Sequence, residues 1–287
     1  MEQVRGIDQK RRKARGAVSN TPGRFDKNRV EVWDGWEIEE DRPGFATIVE
    51  DEVPRSLINY VTSPDLPFDR SINPYRGCEH GCIYCFARPA HAYLGYSAGL
   101  DFETRLIARP RAAEVLRREL SAKRYKVAPI AIGTNTDPYQ PVERDRRITR
   151  GCLELLRTFN HPVAIVTKGA LIERDIDILA PMAADGLARV GISITTLDPE
   201  LARRMEPRAP SPARRLAAVR RLVEAGVPVR LMVSPVVPGL TDHELEAILA
   251  AGREMGAETA SWIMLRLPRE VSELWQEWLA EHEPGRA

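Results

Sequence analysis

The sequence predicts an α/β protein built on a parallel sheet. From residue 71 onward, short runs rich in β-branched and apolar residues alternate with longer stretches whose apolar residues recur every three or four positions. This alternation is typical of βα units. Strands are predicted at residues 71–75, 130–135, 163–168, 190–195, 229–235 and 261–266, and helices at 112–122, 146–159, 172–182, 212–225, 242–255 and 271–282. A further extended segment is predicted at 104–108. Six units are two short of a closed eight-stranded barrel.

Composition is that of an ordinary globular protein. The chain has 287 residues, of which 43% are hydrophobic and 29% charged, enough for one large core. The net charge of +1 excludes the strong overall attraction to nucleic acid that a very basic domain shows. No apolar run approaches the roughly 20 residues of a membrane span, and the first residues lack the apolar region of a signal peptide. We therefore expect a cytoplasmic protein without a membrane segment, and a monomer.

Three segments are predicted. Residues 1–29 carry nine Lys or Arg against three acidic residues and hardly any large apolar residue, which favours a disordered basic arm. Such an arm is either a solvated tail or a contact for phosphates. Residues 30–70 mix short apolar pieces with four prolines and are interpreted as an irregular strap over the barrel. Residues 71–287 form the βα domain.

The densest chemical signal is a cysteine loop. Cys78, Cys82 and Cys85 lie within eight positions, separated by three and then two residues. Thiolates this close suit a metal site, either zinc or an iron–sulfur cluster. His80 or His91 could complete a zinc site, whereas a [4Fe–4S] cube on three cysteines keeps one iron open. A secreted disulfide framework does not fit four cysteines in a chain of this length.

The cysteine motif also resembles a known family. Cys-x3-Cys-x2-Cys with an aromatic residue, Tyr84, before the last cysteine is similar to the motif of the radical S-adenosylmethionine (SAM) enzymes. The flanks SINPYRGC at 71–78 and CIYCFARP at 82–89 resemble the spore photoproduct lyase-like branch, and the likeness extends over residues 55–280. It implies a partial, three-quarter TIM-like barrel of six βα units. It also implies a [4Fe–4S] cluster on the three cysteines, SAM on the open iron, and a one-electron donor such as flavodoxin or ferredoxin.

Ligands of parallel βα proteins sit at the carboxyl ends of the strands, so we searched these ends for SAM contacts. The second predicted strand ends in Thr134, Asn135 and Thr136, where many relatives have a Gly-Gly-Glu segment that binds the SAM amino group through backbone oxygens. This chain reads Gly-Thr-Asn there. A backbone role remains open, and so does the simpler interpretation of a capped turn. The backbone carbonyl of Tyr84 is a candidate contact for the adenine.

Further candidates follow the later strands. Lys168 could pair with the SAM carboxylate, as the matching lysine does in the photoproduct lyase group. Ser193 and Thr195 share one face of their strand, and on the lumen side they could reach the ribose or carboxylate. Arg208 could form a bidentate clamp on a carboxylate, or lie on the surface. Cys152 lies on the apolar stripe of a helix and is interpreted as a core residue.

The resemblance implies reductive cleavage of SAM to a 5′-deoxyadenosyl radical that abstracts hydrogen from a substrate. Photoproduct lyases return hydrogen through a cysteine after the second strand, and this chain has Thr134 near that place. Spore photoproduct repair itself is therefore not implied, although lyase or repair chemistry on nucleic acid remains a hypothesis. The alternatives are modification of a peptide or RNA, and a non-catalytic metal-binding module.

Overall fold

The computed structural model describes residues 12–25, 45–64 and 66–285. Within these ranges the strands are β1 (Ile48–Asp51), β2 (Ile58–Tyr60), β3 (Arg70–Ile72), β4 (Tyr75–Arg76), β5 (Arg105–Ala108), β6 (Ile130–Ile132), β7 (Val163–Thr167), β8 (Ala188–Ser193), β9 (Val229–Val236) and β10 (Thr259–Met264). The α-helices are α1 (Leu100–Thr104), α2 (Ala112–Leu120), α3 (Glu143–Arg146), α4 (Ile148–Thr158), α5 (Ile176–Ala184), α6 (Pro199–Met205), α7 (Pro212–Glu224), α8 (Leu245–Glu254) and α9 (Glu270–His282). Short 3-10 helices occupy Arg88–Leu94, Ala170–Asp175 and Asp242–Glu244.

The main sheet has seven strands in the order β10-β9-β8-β7-β6-β3-β2. Six of these strands pair in parallel, namely β3, β6, β7, β8, β9 and β10. Strand β2 adds an antiparallel edge next to β3. The predicted six parallel units of a partial barrel are confirmed. The sheet does not close on itself, because β10 and β2 lie at opposite ends of the strand order.

The largest hydrophobic core lies between the sheet and its helices. Alternate residues of the parallel strands, such as Val163, Ile165, Val190 and Ile192, are buried there against apolar residues of α2, α4, α5, α7 and α8. The predicted helices correspond to α2, α4, α5, α7, α8 and α9, because an amphipathic stripe is a local pattern that burial reinforces. Cys152 is fully buried in this core, as predicted.

Helix α9 packs elsewhere. Its Trp275 and Trp278 join a second cluster with Ile83 and Tyr84 of the cysteine loop, rather than covering β10. Strand β10 is therefore exposed along most of its length, including Trp262 and Met264. The last helix thus packs against the cysteine loop.

The N-terminal predictions require correction where the structure describes these residues. The predicted extended segment at 104–108 is found as β5, which pairs with β1 and β4 in a separate three-stranded sheet. The strap is consequently not irregular throughout, since β1 and β2 each pair with strands of the domain. Its residues 30–44 lie outside the described residues.

Residues 12–25 also differ from the predicted disordered arm. Residues 15–19 are buried, and the guanidinium of Arg15 donates to the backbone oxygens of Glu103 and Phe45, at 2.9 and 2.8 Å. A cluster of basic residues in a sequence normally predicts a solvated segment. In this structure Arg15 instead donates to backbone oxygens that lie far along the chain. Residues 1–11 and 26–29 of the predicted arm lie outside the described residues. Within the described part of the chain, each helix is too short or too polar to cross a membrane.

Candidate active site

The cysteine loop follows β4 and is fixed by backbone hydrogen bonds to distant segments. The Cys78 amide donates to the Phe102 carbonyl at 2.9 Å, and the Ile83 amide donates to the Met205 carbonyl at 3.0 Å. Gly81 has φ of +67°, and a Cβ at this position would lie 2.8 Å from the Glu103 carboxylate. This turn therefore requires glycine. All three cysteines are free.

A buried ion pair holds the backbone of the cysteine loop. Arg88 and Glu103 are fully buried, and their side chains meet at 2.6 Å. Arg88 also donates to the carbonyl oxygens of Gly81 and Cys82, at 3.1 and 2.9 Å. The Glu103 carboxylate accepts hydrogen bonds from two backbone amides of the N-terminal segment, including that of Ala17 at 2.8 Å. Each remaining donor and acceptor thus has a partner, the condition under which a buried charge pair is tolerated.

The thiols of the loop are strongly desolvated. Burial raises the pKa of Cys78 well above its ordinary value, with a further contribution from Asp137, and burial raises the pKa of Cys82 to about 12. The pKa of Cys85 is also raised by burial. Burial thus disfavours the thiolate form of each cysteine, and a metal must displace the thiol protons on binding. Among the described residues, no three His, Cys, Asp or Glu side chains are grouped so as to hold a single metal ion.

Polar side chains from two neighbouring strand ends come together with Tyr84 of the cysteine loop. Lys168 follows β7, and its Nζ lies 3.0 Å from the Oγ of Ser193 at the end of β8. The same ammonium lies over the ring of Tyr84, 5.7 Å from its centroid. The Tyr84 hydroxyl is 3.1 Å from the Oγ1 of Thr195. Four residues that the sequence predicted as SAM contacts therefore form one group next to the cysteines. This Lys168 group consists of Lys168, Ser193, Thr195 and Tyr84.

The centre of this group is Glu206, which follows α6. Its carboxylate accepts hydrogen bonds from the Tyr84 hydroxyl and from Thr195, the latter at 2.9 Å, and lies 3.9 Å from the Lys168 ammonium. On its other oxygen it pairs with the guanidinium of Arg215, and both side chains are 1% exposed. Burial alone would raise the pKa of Glu206, but Arg215 and Lys168 outweigh burial and hold this pKa at about 2. Glu206 is therefore an anion that ties the tyrosine of the cysteine loop to the strand ends.

A second carboxylate orders the turn after β7. Asp137 accepts hydrogen bonds from the Lys168 amide at 2.7 Å and from the Thr167 hydroxyl at 2.5 Å. It also lies 3.3 Å from the Nδ1 of His80 in the cysteine loop. Although burial opposes ionisation, His80 and these hydrogen bonds hold the pKa of Asp137 at about 2. The backbone amide of Lys168 is thus fixed by Asp137.

Comparison with protein families agrees with this arrangement. The family model of the Radical SAM superfamily matches residues 72–251, which is most of the barrel. The chain belongs to the radical SAM superfamily.

Several proteins and solved structures are similar to the chain. Uncharacterized proteins of Mycobacterium bovis and Mycobacterium tuberculosis are each 37% identical over 80% of this chain and 68% of their own length. A spore photoproduct lyase mutant with bound AdoMet and dinucleoside spore photoproduct superimposes with a TM-score of 0.61 at 14% identity, over 82% of this chain and 67% of that chain. Streptococcus suis SuiB bound to S-adenosylmethionine gives 0.51 at 16% identity, over 74% and 48%. These structures show the fold of the chain.

The remaining predicted SAM contacts have hydrogen-bond partners other than Lys168, Ser193 and Thr195. Thr136 is buried and donates to the Tyr75 carbonyl at 3.0 Å, and the Asn135 amide donates to the side chain of Asn73 at 3.3 Å. Both residues thus hold the turn after β6, and Thr134 beside them is partly buried. Arg208 pairs with Glu79 of the cysteine loop at 3.0 Å.

Sequence analysis did not identify four charged residues of this region. They are Arg88, Glu103, Glu206 and Arg215, all of them buried. In sequence each resembles an ordinary surface charge, because its partner lies on another element. The one available signal for Glu206 was its place after the fourth strand, in the connection that also carries Arg208.

Proposed function

We propose that the chain is a [4Fe–4S]-dependent radical SAM enzyme that acts on nucleic acid, with Cys78, Cys82 and Cys85 as the cluster ligands. Family membership implies the cluster and SAM as cofactors. The donor set fits, since three thiols in one loop match the three-cysteine requirement of a cube with one open iron. When bound and reduced by a one-electron donor such as flavodoxin or ferredoxin, these cofactors supply a 5′-deoxyadenosyl radical that abstracts hydrogen from a substrate.

The observation that carries the proposal is the meeting of the cysteine loop with the Lys168 group. Lys168 provides an ammonium for the SAM carboxylate, held in place by Ser193 and Glu206 at 3.0 and 3.9 Å. Ser193 and Thr195 provide hydroxyl groups for the polar parts of SAM. The side chain of Tyr84 is fixed through its hydroxyl, which orients its backbone carbonyl beside the cysteines. The protein contributes position, charge and exclusion of water.

Nucleic acid is supported as the substrate class by the likeness to spore photoproduct lyase, whose structure contains a dinucleoside spore photoproduct. The proposed reaction differs from that of spore photoproduct lyase in the group that returns hydrogen to the substrate. The one cysteine outside the cluster loop, Cys152, is fully buried on α4. A thiol at that position cannot reach a substrate base, so we assign lyase or repair chemistry without a cysteine hydrogen donor.

Anaerobic reconstitution tests the proposal. Brown protein with about four irons per chain that cleaves SAM to 5′-deoxyadenosine on reduction is the expected result. Colourless protein with stoichiometric zinc would support a non-catalytic metal-binding module instead. Incubation with photodamaged DNA, with RNA and with cell extract, followed by mass mapping of the products, then identifies the substrate. A product found only on a peptide would overturn the nucleic-acid assignment and leave the radical chemistry intact.

A further inference from the structure

A cavity of about 400 Å³ opens beside the cysteine loop, at the carboxyl ends of β6, β7 and β8. Its wall includes four arginines from three connections: Arg144 on α3, Arg174 in the 3-10 helix after β7, and, between β8 and β9, Arg208 after α6 and Arg214 in the first turn of α7. Glu173 is the one carboxylate among the lining residues. Such a volume is within the range of small-ligand sites. The charge of its wall favours an anion.

Two of the four guanidinium groups have a terminal nitrogen that makes no hydrogen bond within the described residues. All three nitrogens of Arg174 donate to Glu143 or Asp175, and both terminal nitrogens of Arg214 donate to Glu173. Arg208 uses only one of its terminal nitrogens, on Glu79, and is one-third exposed. Arg144 is exposed, and its side chain has no ion pair or hydrogen bond to any described residue. A guanidinium has five N–H donors, so Arg144 and Arg208 can both bind a phosphate.

The inner wall carries buried polar atoms in need of partners. The Tyr139 hydroxyl and the Nδ1 of His80 both lack a hydrogen bond within the described residues, and each residue is 2% exposed. Nδ1 of His80 has Asp137 at 3.3 Å, and the Tyr139 hydroxyl lies near the carboxylate of Asp175 without forming a well-aligned hydrogen bond to it. Burial, together with Asp175, raises the pKa of Tyr139 well above its ordinary value, so the hydroxyl remains a donor. Leaving such an atom unpaired is costly, and a phosphate oxygen is a suitable acceptor.

We propose that this cavity binds a backbone phosphate of a polynucleotide strand, with Arg144 and Arg208 at its mouth and Tyr139 on its inner wall. The inference rests on the proposed function and deepens it. The chain as a whole has a net charge of only +1, so a local arginine cluster rather than the overall charge determines where a strand lies. His80 borders the cavity and is two residues from Cys78. A phosphate bound here places the adjoining nucleotide beside the cysteine loop.

The test is fluorescence anisotropy of labelled 20-nucleotide DNA and RNA strands with the reconstituted full chain, over a series of salt concentrations. Arg144→Gln is expected to weaken binding about tenfold and to reduce the salt slope by about 0.7 for a single strand. Tyr139→Phe is expected to weaken binding with the salt slope unchanged, because it removes a neutral donor. Arg189→Gln is the matched control, since this exposed arginine lies near the amino end of β8.

The outcomes separate this inference from the proposed function. Wild-type affinity and slope in both Arg144→Gln and Tyr139→Phe, with clear binding by the wild-type chain, would overturn the cavity assignment alone. A wild-type chain that cleaves SAM but binds neither strand would overturn both this inference and the nucleic-acid substrate. Competition by inorganic phosphate or adenosine monophosphate as strong as that of an oligonucleotide would identify a small-anion site and overturn the strand assignment.

Discussion

The substitution Glu206→Gln tests the buried centre of the site. It preserves the shape of the side chain and removes its charge, so the guanidinium of Arg215, 1% exposed, loses its counterion. The new amide also replaces one carboxylate oxygen by an NH2 group, which faces the donors of either Arg215 or Tyr84 and Thr195. Removing one partner of a buried ion pair costs about 3–5 kcal/mol, out of a total stability of about 5–15 kcal/mol. We expect a folded protein with a much reduced free energy of unfolding.

Urea denaturation of the reduced, cluster-free protein at pH 7 measures this change. The double variant Glu206→Gln with Arg215→Met should recover part of the loss, because no uncompensated charge remains in the core. Glu154→Gln is the control, since Glu154 is mostly exposed and pairs with Arg150 on the surface of α4. A loss for Glu206→Gln of less than about 1 kcal/mol, the range of exposed pairs, would refute the reasoning.

The pH dependence gives an independent check of the same pair. The pKa of Glu206 is about 2 in the folded chain, against an ordinary value of 4.5. A lowered pKa means that the stabilisation is fully present above pH 4.5 and is lost as the pH falls towards 2. The difference in unfolding free energy between wild type and Glu206→Gln should therefore shrink over this interval. A difference in unfolding free energy that stays constant down to about pH 2 would contradict an ionised Glu206.

Three further predictions concern the cofactors and the loop. Alanine at any one of the cluster cysteines should abolish the iron absorbance, whereas Cys152→Ala should retain it at a packing cost of about 1 kcal/mol; iron and sulfide analysis checks both. Lys168→Met should weaken SAM binding about ten- to a hundredfold, with only partial rescue by Lys168→Arg, as measured by titration of the cluster spectrum. Gly16→Ala should lower the iron content, since its Cβ would lie 1.9 Å from the Gly81 carbonyl oxygen, whereas Gly151→Ala meets nothing closer than 3.9 Å.

The barrel and the meeting of its strand ends were predictable from sequence. Alternating β-rich and amphipathic stretches are local patterns, and the rule that parallel strands end at one edge brought Lys168 and Ser193 together. The predicted strand at 71–75 was less accurate, because the chain leaves the main sheet after β3 and pairs β4 with β5 instead. Pairing of this kind depends on a distant segment, which no local pattern specifies.

The buried charges could not be predicted for the same reason. Glu206 accepts a hydrogen bond from Tyr84, which lies 122 positions earlier in the sequence. Arg15 donates a hydrogen bond to the backbone oxygen of Glu103, which lies 88 positions later. A charged residue is normally solvated, so sequence alone favours the surface for each of them. Within the predicted arm, residues 15–19 are buried rather than solvated: Arg15 and the Glu103 carboxylate that accepts from the next two amides link this segment to the support of the cysteine loop.

The two buried ion pairs contact different parts of the cysteine loop. Arg88 and Glu103 bind its backbone carbonyls, and Glu206 with Arg215 binds the hydroxyl of Tyr84. An apolar core of equal volume would give similar or greater stability, so stability alone does not explain why charges are buried here. Fixed charges and dipoles do explain it. They are already oriented before charge moves in the site, and they therefore stabilise a change in charge without reorganisation. For the proposed iron–sulfur cluster, such preorganised charges would stabilise the change in charge on reduction, which apolar packing cannot do.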